Sequence, residues 1–333
     1  MTAAPRGLIG RFGLGLLLVL SGAAVAAEPP RGVIVVPFDA STLPQEEQWI
    51  GEGVAELASL GLAQHPAIVQ IDRTRARAVS DPAVWTETIV RQTARAVGAD
   101  AALYGRVRRD AEGLVIEPLL LNLRAGAIGS LPVMAVSDTE LLPRLAALPV
   151  LYARGLHPAL AADVAARIEK AARPTTSLQA FAWYARGRAA FHRGDAEAAL
   201  DPLARACESD PNFVTAQYAL GVAHVALGNR WKAAAQFRAT ILLEWGNPEA
   251  HKALGDLFLG APRSLSAQAI EAYSQAIELR PFYANAHVGL GDARGARGDA
   301  DGAIAAYRKA LALDPFNALP REKLGKALTE SAF

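Results

Sequence analysis

Residues 32–136 alternate between short apolar runs and longer segments in which apolar residues recur at helical spacing. Strands are predicted at the short apolar runs 32–38, 67–71, 101–107, 114–123 and 130–136. Helices are predicted at 45–64 and 84–97, where apolar positions lie mostly three or four residues apart. Strands that alternate with helices and then form hairpins favour an α/β layer with a mixed sheet.

The chain beyond this region has a helical pattern throughout. Helical stretches are predicted at 139–156 and 160–172, and residues 173–177 form a linker. After the linker, glycines recur at intervals of 34, 34, 36 and 34 residues, at Gly187, Gly221, Gly255, Gly291 and Gly325. A small residue recurs with them (Ala199, Ala233, Ala269, Ala303), and so does a large apolar one (Leu203, Phe237, Tyr273, Tyr307). A period near 34 residues indicates stacked helix pairs.

This stretch resembles the tetratricopeptide repeat (TPR) family. Leucine precedes glycine at Leu220, Leu254, Leu290 and Leu324, and the closing proline of the repeat stands at Pro211, Pro281 and Pro315. The resemblance implies an all-α solenoid of four units, 180–213, 214–247, 248–283 and 284–317, with a closing helix at 318–333. Left-handed glycines are expected to end the first helices at Gly194, Gly228 and Gly298, and the next residues, Asp195, Asn229 and Asp299, are expected to cap the second helices.

Residues 32–150 resemble the TolB amino-terminal-like domain of envelope proteins and of the sensory regions of some bacterial cyclases. The matching segments are Val33 to Phe38, Gly51-Glu-Gly53, Ile71-Asp-Arg73 and Val97 to Val107. Residues 122–126 stand at the family's Asp-x-x-Thr-Gly turn, with asparagine for aspartate and alanine for threonine. The resemblance implies an interaction module, and residues 151–177 are predicted to be a helical bridge and linker to the repeats at 178–333.

Residues 1–27 have the layout of a secretory signal peptide. Arg6 and Arg11 precede the apolar run 12–26, which ends in small residues. The run has about 15 residues, fewer than the roughly 20 that span a bilayer, so we expect cleavage near Ala26 or Ala27 and no stable membrane insertion afterwards. The only cysteine, Cys207, is far from this run, so the lipoprotein pattern is absent. The predicted location is periplasmic or secreted.

No motif of catalysis or metal binding stands out in the sequence. A formal net charge of +1 offers no excess field for nucleic acid. The six histidines include no pair at the three- or four-residue spacing of helical metal ligands, and there is no nucleophile elbow or Walker loop. The sequence therefore predicts a non-enzymatic protein with no catalytic residue, metal or cofactor.

The TPR resemblance implies a partner-binding groove, lined by the second, fifth, ninth and twelfth residues of each first helix. The predicted groove residues are Phe181, Tyr184, Arg188, Phe191, Thr215, Tyr218, Lys252, Asn285 and Asp292. The alternative for Phe181, Tyr184 and Phe191 is packing against the bridging helix, because apolar residues at helical spacing are usually core.

Two functions remain open at this point. The first is a scaffold that binds a protein or peptide partner of the bacterial envelope in the groove. The second is a sensor in which the α/β domain binds a small molecule and the repeats relay its presence. An apolar pocket in the α/β domain would favour the sensor, and a filled core would favour the scaffold.

Overall fold

A computed structural model describes residues 29–261 and 265–330, and the predicted signal peptide lies outside them. The amino-terminal half contains β1 (Arg31–Val35), α1 (Trp49–Leu62), β2 (Ile68–Gln70), α2 (Arg73–Val79), α3 (Glu87–Ala96), β3 (Ala101–Arg109), β4 (Leu114–Asn122), β5 (Ala127–Ser130) and β6 (Met134–Val136). Two details differ from the predicted elements. The strand predicted at 130–136 is divided into β5 and β6 around Pro132, which has no N–H for a ladder hydrogen bond. Helix α2 was missed because only one apolar side chain in it, Ala76, is buried.

The strands form one mixed sheet in the order β2-β1-β3-β4-β5, and this confirms the predicted fold class. β1 is parallel to β2 and β3, whereas β4 is antiparallel to β3, β5 and β6. Side chains alternate between the two faces: Val33 and Val35 join the core on one side, and Ile34 and Val36 join the core on the other. The first of these cores includes α1 and continues into the repeats.

Helices α4 (Leu141–Leu145), α5 (Leu148–Leu156) and α6 (Ala162–Ala171) connect the sheet to the solenoid. The repeats consist of the pairs α7 (Leu178–His192) with α8 (Ala196–Ser209), α9 (Val214–Ala226) with α10 (Arg230–Leu243), α11 (Pro248–Leu259) with α12 (Ser266–Leu279), and α13 (Ala284–Ala296) with α14 (Ala300–Leu313). Helix α15 (Leu319–Glu330) follows them. We number these pairs as units 1 to 4.

The repeated glycines bring the two helices of each unit close together. A Cβ atom placed on Gly187, Gly221, Gly255 or Gly291 would lie 2.5–2.8 Å from a side-chain atom of Leu203, Phe237, Tyr273 or Tyr307, respectively. Gly325 in α15 has nothing within 4 Å of the same position, since no second helix packs on it in the described part of the chain. The large apolar residue of each second helix therefore fills the space above the glycine of its own first helix.

The turns between paired helices largely follow the sequence prediction. Gly194, Gly228 and Gly298 have φ angles of 84°, 72° and 80°, which is the left-handed region. Asp195 accepts from the Ala198 N–H and Asp299 accepts from the Gly302 N–H, as expected of caps. The expectation for Asn229 was wrong, because its side chain makes no cap hydrogen bond to α10, and nothing in the structure explains this difference.

Of the helices in the described ranges, none has both the length and the apolar character that crossing a membrane requires.

Candidate functional site

The solenoid begins directly on helix α1 of the α/β domain. Phe181 has no exposed surface, and its ring meets Trp49 of α1 edge to face, with 6.1 Å between the centroids. Tyr184 is 2% exposed and its hydroxyl donates to Glu56 of α1 over 3.0 Å. Phe181 therefore lies in the core, and Tyr184 is almost wholly buried although it borders the cleft described below. Both residues contact α1, whereas the alternative placed them against the bridging helix.

Glu56 is the centre of a buried polar cluster that joins α1 to unit 1. One carboxylate oxygen accepts from the Tyr184 hydroxyl and, over 3.2 Å, from Nε of Arg188. The other oxygen lies 2.8 Å from Nη2 of Arg73 and 3.0 Å from Nε2 of His192. Glu56 is 2% exposed, so these groups replace the water that a carboxylate otherwise needs.

Glu52, one helical turn before Glu56, extends the cluster towards α2. It pairs with Arg73 and lies 3.5 Å from Nη2 of Arg77. Oxygen and nitrogen atoms of Glu52, Glu56 and His192 lie within 4.8 Å of one another, a spacing that could hold a metal ion. Three guanidinium groups already contact the two carboxylates, however, so the carboxylate charge is neutralised before any cation is added. This chemistry fits an ion-pair network better than a metal site.

The cluster shifts the protonation of its members in opposite directions. Burial opposes ionisation of Glu56, but Arg188, Arg73 and the His192 hydrogen bond outweigh it and hold the pKa of Glu56 well below its usual range. Burial raises the pKa of Glu52. Burial, together with Arg188 and Arg73, lowers the pKa of His192 to about 4, so this imidazole is neutral near pH 7. Its Nδ1 atom is buried and has no hydrogen-bond partner among the described residues.

A cleft of about 1020 Å³ opens beside this cluster, between the α/β domain and units 1 to 3. Its walls come from α7, α9 and the start of α11 on the solenoid side and from α1, the start of α2, and α6 on the other. Tyr218 and Val222 of α9 border it, and Arg280 and Tyr283 lie where α12 passes into α13. Arg280 is neutralised by Glu249, whose carboxylate accepts its guanidinium hydrogen bond over 2.6 Å.

The cleft brings together some of the predicted groove residues and leaves out the others. Its lining includes Tyr184, Arg188, Phe191, Thr215 and Tyr218 but not Lys252, Asn285 or Asp292. Lys252 pairs with Asp256 over 2.6 Å, and Asp292 accepts from Tyr307 and Lys323 over 2.8 Å each. Asn285 is exposed. The groove predicted for units 3 and 4 is thus occupied in part by hydrogen bonds within the solenoid, and its role in binding stays a prediction.

Sequence reasoning missed the contribution of the α/β domain to this site. Glu52 and Glu56 lie four residues apart on a helix that is otherwise mostly apolar and buried. Carboxylates on the buried face of a helix are rare unless they are paired, so this spacing was an available signal. Their partners Arg73 and Arg188 are distant in the chain, and no spacing rule connects them.

Two histidines at repeat positions pack in the solenoid. His251 and His287 are 6% and 9% exposed. Each ring has its Nε2 atom within about 3 Å of a backbone carbonyl, that of Trp245 and that of Pro281 respectively. These contacts fix the turns between units.

A mixed sheet followed by stacked helix pairs, with a cleft where the two meet, defines a helical-repeat protein with an added α/β domain. Two family models match the chain: one described as TPR repeat covers residues 291–330, and one described as tetratricopeptide repeat covers residues 147–212. Together with the helix pairs, these matches confirm that the chain contains tetratricopeptide repeats. The second match begins ahead of α7 and includes α5 and α6. Neither match reaches residues 32–146, so the TolB resemblance stays a prediction.

Several solved structures are similar to part of the chain. A crystal structure of MamA is 26% identical, covering 44% of this chain and 84% of its own, with a TM-score of 0.39. A thermophilic TPR protein of Thermus thermophilus is 22% identical, covering 45% and 81%, with a TM-score of 0.41. The pilF protein of Pseudomonas aeruginosa is 20% identical, covering 46% and 69%, with a TM-score of 0.43. A search of curated proteins found no match.

Proposed function

We propose that this protein is a non-enzymatic scaffold that binds a segment of a partner protein in the cleft between its α/β domain and units 1 to 3. The observation that carries the proposal is the cleft itself, which residues of both parts of the chain line together. TPR solenoids typically bind protein partners, and aromatic and arginine side chains dominate the energy of such contacts. Tyr218, Phe191 and Arg188 supply these side chains here.

The α/β domain contributes one end of the binding surface in this proposal. Helix α1 covers the concave side of unit 1, so an incoming segment reaches unit 2 first. Arg188 is 20% exposed and bonded to Glu56, which keeps its guanidinium in place at the floor of the cleft. The rim from α6 adds Arg167, which pairs with Asp163 over 2.7 Å, and Lys170, which favours an acidic residue in the bound segment.

The test is site-specific photo-crosslinking in cells. A photoreactive amino acid replaces Thr215, which borders the cleft, and in a matched control it replaces Ala305, which is exposed on α14 away from the cleft. We expect a discrete protein adduct at position 215 and none at position 305. A Thr215→Arg variant, which narrows the cleft, should abolish binding of the protein so identified, while Ala305→Arg should not. Adducts of equal yield at both positions would refute the cleft as the binding surface.

The fold changes where a sensor of this kind would bind its small ligand. The two faces of the sheet carry buried apolar cores, so a small ligand would bind at the junction and not within the α/β domain. Ligand binding there would compete with the partner segment, and it would appear as thermal stabilisation that Thr215→Arg reduces.

We also propose that the protein works in the bacterial envelope, on the basis of its predicted signal peptide. Cell fractionation with mass measurement of the recovered protein tests this. A mature chain that begins near Ala27 or Glu28 in the envelope fraction is the expected result. An intact Met1 on cytoplasmic protein would refute it.

A further inference from the structure

The end of the solenoid returns to the α/β domain. Phe316 follows helix α14, and two atoms of its ring lie 3.0 Å from the position that a Cβ on Gly32 of β1 would take. Arg75 of α2 donates to the backbone carbonyls of Phe316 and Val97, over 3.4 Å each. Arg75 and Phe316 are 241 residues apart, so only the tertiary structure joins them. We call Gly32, Arg75, Val97 and Phe316 the clasp.

The clasp lies beyond the cleft along the solenoid. The turns that follow α10 and α12 line the cleft with residues 246–249 and 279–283. The corresponding turn after α14, residues 314–317, carries Phe316 of the clasp. On the opposite wall, residues 72–74 at the start of α2 line the cleft, and Arg75 is the next residue. The solenoid therefore contacts the α/β domain on both sides of the cleft, through unit 1 and through the clasp.

These two contacts differ in strength. At unit 1, Phe181 has no exposed surface, and Glu56, which is 2% exposed, has four partners. In the clasp, Arg75 is exposed, Phe316 is only partly buried, and both hydrogen bonds are longer than the usual range. Each repeat contacts only its neighbours, so small rotations between units add up and displace the last unit most. The solenoid therefore separates from the α/β domain at the clasp before it separates at unit 1.

The charges of the cleft do not suit a free carboxyl terminus. Every arginine of its lining already has a carboxylate partner. These arginines are Arg73, Arg167, Arg173, Arg188 and Arg280. Lys170 offers a single point charge, whereas arginine holds a carboxylate through two parallel hydrogen bonds. An internal segment of a partner therefore fits the cleft better than a carboxyl terminus does.

We propose that the clasp opens to admit an internal segment of a folded partner protein to the cleft. Such a segment has folded parts on both sides, so it cannot thread through the ring that the solenoid and the α/β domain form. Separation of Phe316 from Gly32 provides a lateral entrance, and closure afterwards holds the segment in place. The opening of the clasp requires only the contacts above, whereas the admission of a segment rests on the proposed function.

The first experiment measures access to the cleft with thiol reagents in a Cys207→Ser background. Thr215→Cys borders the cleft and reacts with two maleimides, a small one and one attached to a small folded protein. The ratio of the bulky rate to the small rate reports how far the cleft admits a folded body. Phe316→Ala removes the ring of the clasp, and Leu319→Ala, which truncates a 46% exposed side chain nearby, is the matched control. Ala305→Cys, which is exposed on α14 away from the cleft, gives the ratio without obstruction.

With the clasp intact, we expect a lower ratio at position 215 than at position 305. Phe316→Ala should raise the ratio at position 215 about tenfold, since the loss of one aromatic contact shifts the opening equilibrium by about that factor. Arg75→Ala should raise it less and Leu319→Ala should leave it unchanged, and circular dichroism checks that each variant folds. Equal ratios at the two positions with the clasp intact would overturn the proposal, as would an unchanged ratio in Phe316→Ala or an equal rise in Leu319→Ala.

The second experiment locks the clasp. Gly32→Cys and Phe316→Cys, in the Cys207→Ser background, are joined by a short bismaleimide in a protein that carries the photoreactive amino acid at position 215. The probe is the purified protein identified by the adduct at that position, and the same variant before linking is the control. We expect locking to reduce the adduct yield at least about tenfold. An undiminished yield would overturn admission through the clasp. No adduct even before linking would refute the cleft as the binding surface, and the access ratios would still decide whether the clasp opens.

Discussion

The first unit and the last two units of the solenoid contain the same helix pair but stabilise their inner side chains in different ways. In units 3 and 4, Asp256 and Asp292 accept from the hydroxyls of Tyr273 and Tyr307 over 2.7 and 2.8 Å. Both partners belong to one unit. In unit 1 the equivalent positions hold Arg188 and Leu203, so no hydroxyl is available, and Arg188 pairs instead with Glu56 of the α/β domain.

Unit 2 completes the series with an apolar pair, Val222 and Phe237, at the same two positions. The charged side chain at this position is thus paired inside the unit in units 3 and 4 and across the domain junction in unit 1. Unit 2 has no charged side chain there. Unit 3 is self-contained in this respect and unit 4 adds only Lys323 of α15, whereas unit 1 depends on α1 to neutralise its arginine. The open cleft lies beside unit 2, where no internal pair occupies the inner face.

The largest effect is expected from removing the acidic side chain that pairs with the inner residues at each end of the solenoid, Glu56 at the junction and Asp292 in unit 4. Glu56→Ala leaves Arg73 and Arg188 buried without their carboxylate, and we expect a loss of about 3–5 kcal/mol in the free energy of unfolding. Asp292→Ala removes an acid whose side chain is 26% exposed, and we expect a loss of only about 1 kcal/mol. Urea unfolding measures both. Equal losses would mean that the junction is no more dependent on its acid than the end of the solenoid.

The second test uses pH. Burial lowers the pKa of His192 in the folded protein to about 4 from 6.5, so the folded state favours the neutral ring. The resulting stability is complete above pH 6.5 and is lost as the pH falls towards 4, by up to about 3 kcal/mol. Glu56, with its depressed pKa, loses its contribution at still lower pH.

His65 must be separated from His192 in this experiment. Burial and the neighbouring His157 lower the pKa of His65 to about 4 as well, so both rings titrate in one pH range. We expect His192→Gln and His65→Gln each to reduce the pH dependence of the unfolding free energy between pH 6.5 and 5. Part of it should remain in the double variant, because burial also lowers the pKa values of His224 and His287. If His192→Gln left the pH dependence unchanged, the junction would not contain a buried neutral histidine.

A third test asks whether the two ends share the same helix packing despite their different polar contacts. A leucine in place of Gly187 or Gly291 would overlap Leu203 or Tyr307, whose atoms lie 2.6 and 2.5 Å from the added Cβ. We expect similar losses of about 1–3 kcal/mol for the two variants in urea unfolding. Gly325→Leu is the control, because that Cβ position has no neighbour within 4 Å. A parent-like Gly291→Leu protein would refute the close contact.

The smallest effect concerns the internal pairs. Tyr307→Phe removes the hydroxyl that donates to Asp292, and we expect a loss of about 1 kcal/mol. The reverse change, Phe237→Tyr in unit 2, adds a hydroxyl opposite Val222, where it finds no acceptor, and it should destabilise by a similar amount. The double variant Phe237→Tyr with Val222→Asp recreates the pair of unit 4 and should recover the loss. If it does not, the pairs are not interchangeable between units.

Much of the fold was predictable from local pattern because each repeat is a local structure. The helix pairs, the left-handed glycines and the caps Asp195 and Asp299 depend on residues close together in the chain, and the structure contains them. The cap at Asn229 and the single strand at 130–136 were wrong. Within the candidate site, Thr215 and Tyr218 border the cleft as predicted, Tyr184 borders it while almost wholly buried under α1, and Phe181 is completely buried there.

The sequence by itself determined the period, the helix pairs and the mixed sheet, since these follow from apolar spacing and turn residues over a few tens of positions. Only the tertiary structure decided how the two parts meet. Glu56 and Arg188 are 132 residues apart, and their pairing depends on α1 docking against α7. The same docking covers Tyr184, leaves Tyr218 beside the cleft and gives Glu56 a pKa well below its usual range, because burial and charge are properties of the assembled surfaces.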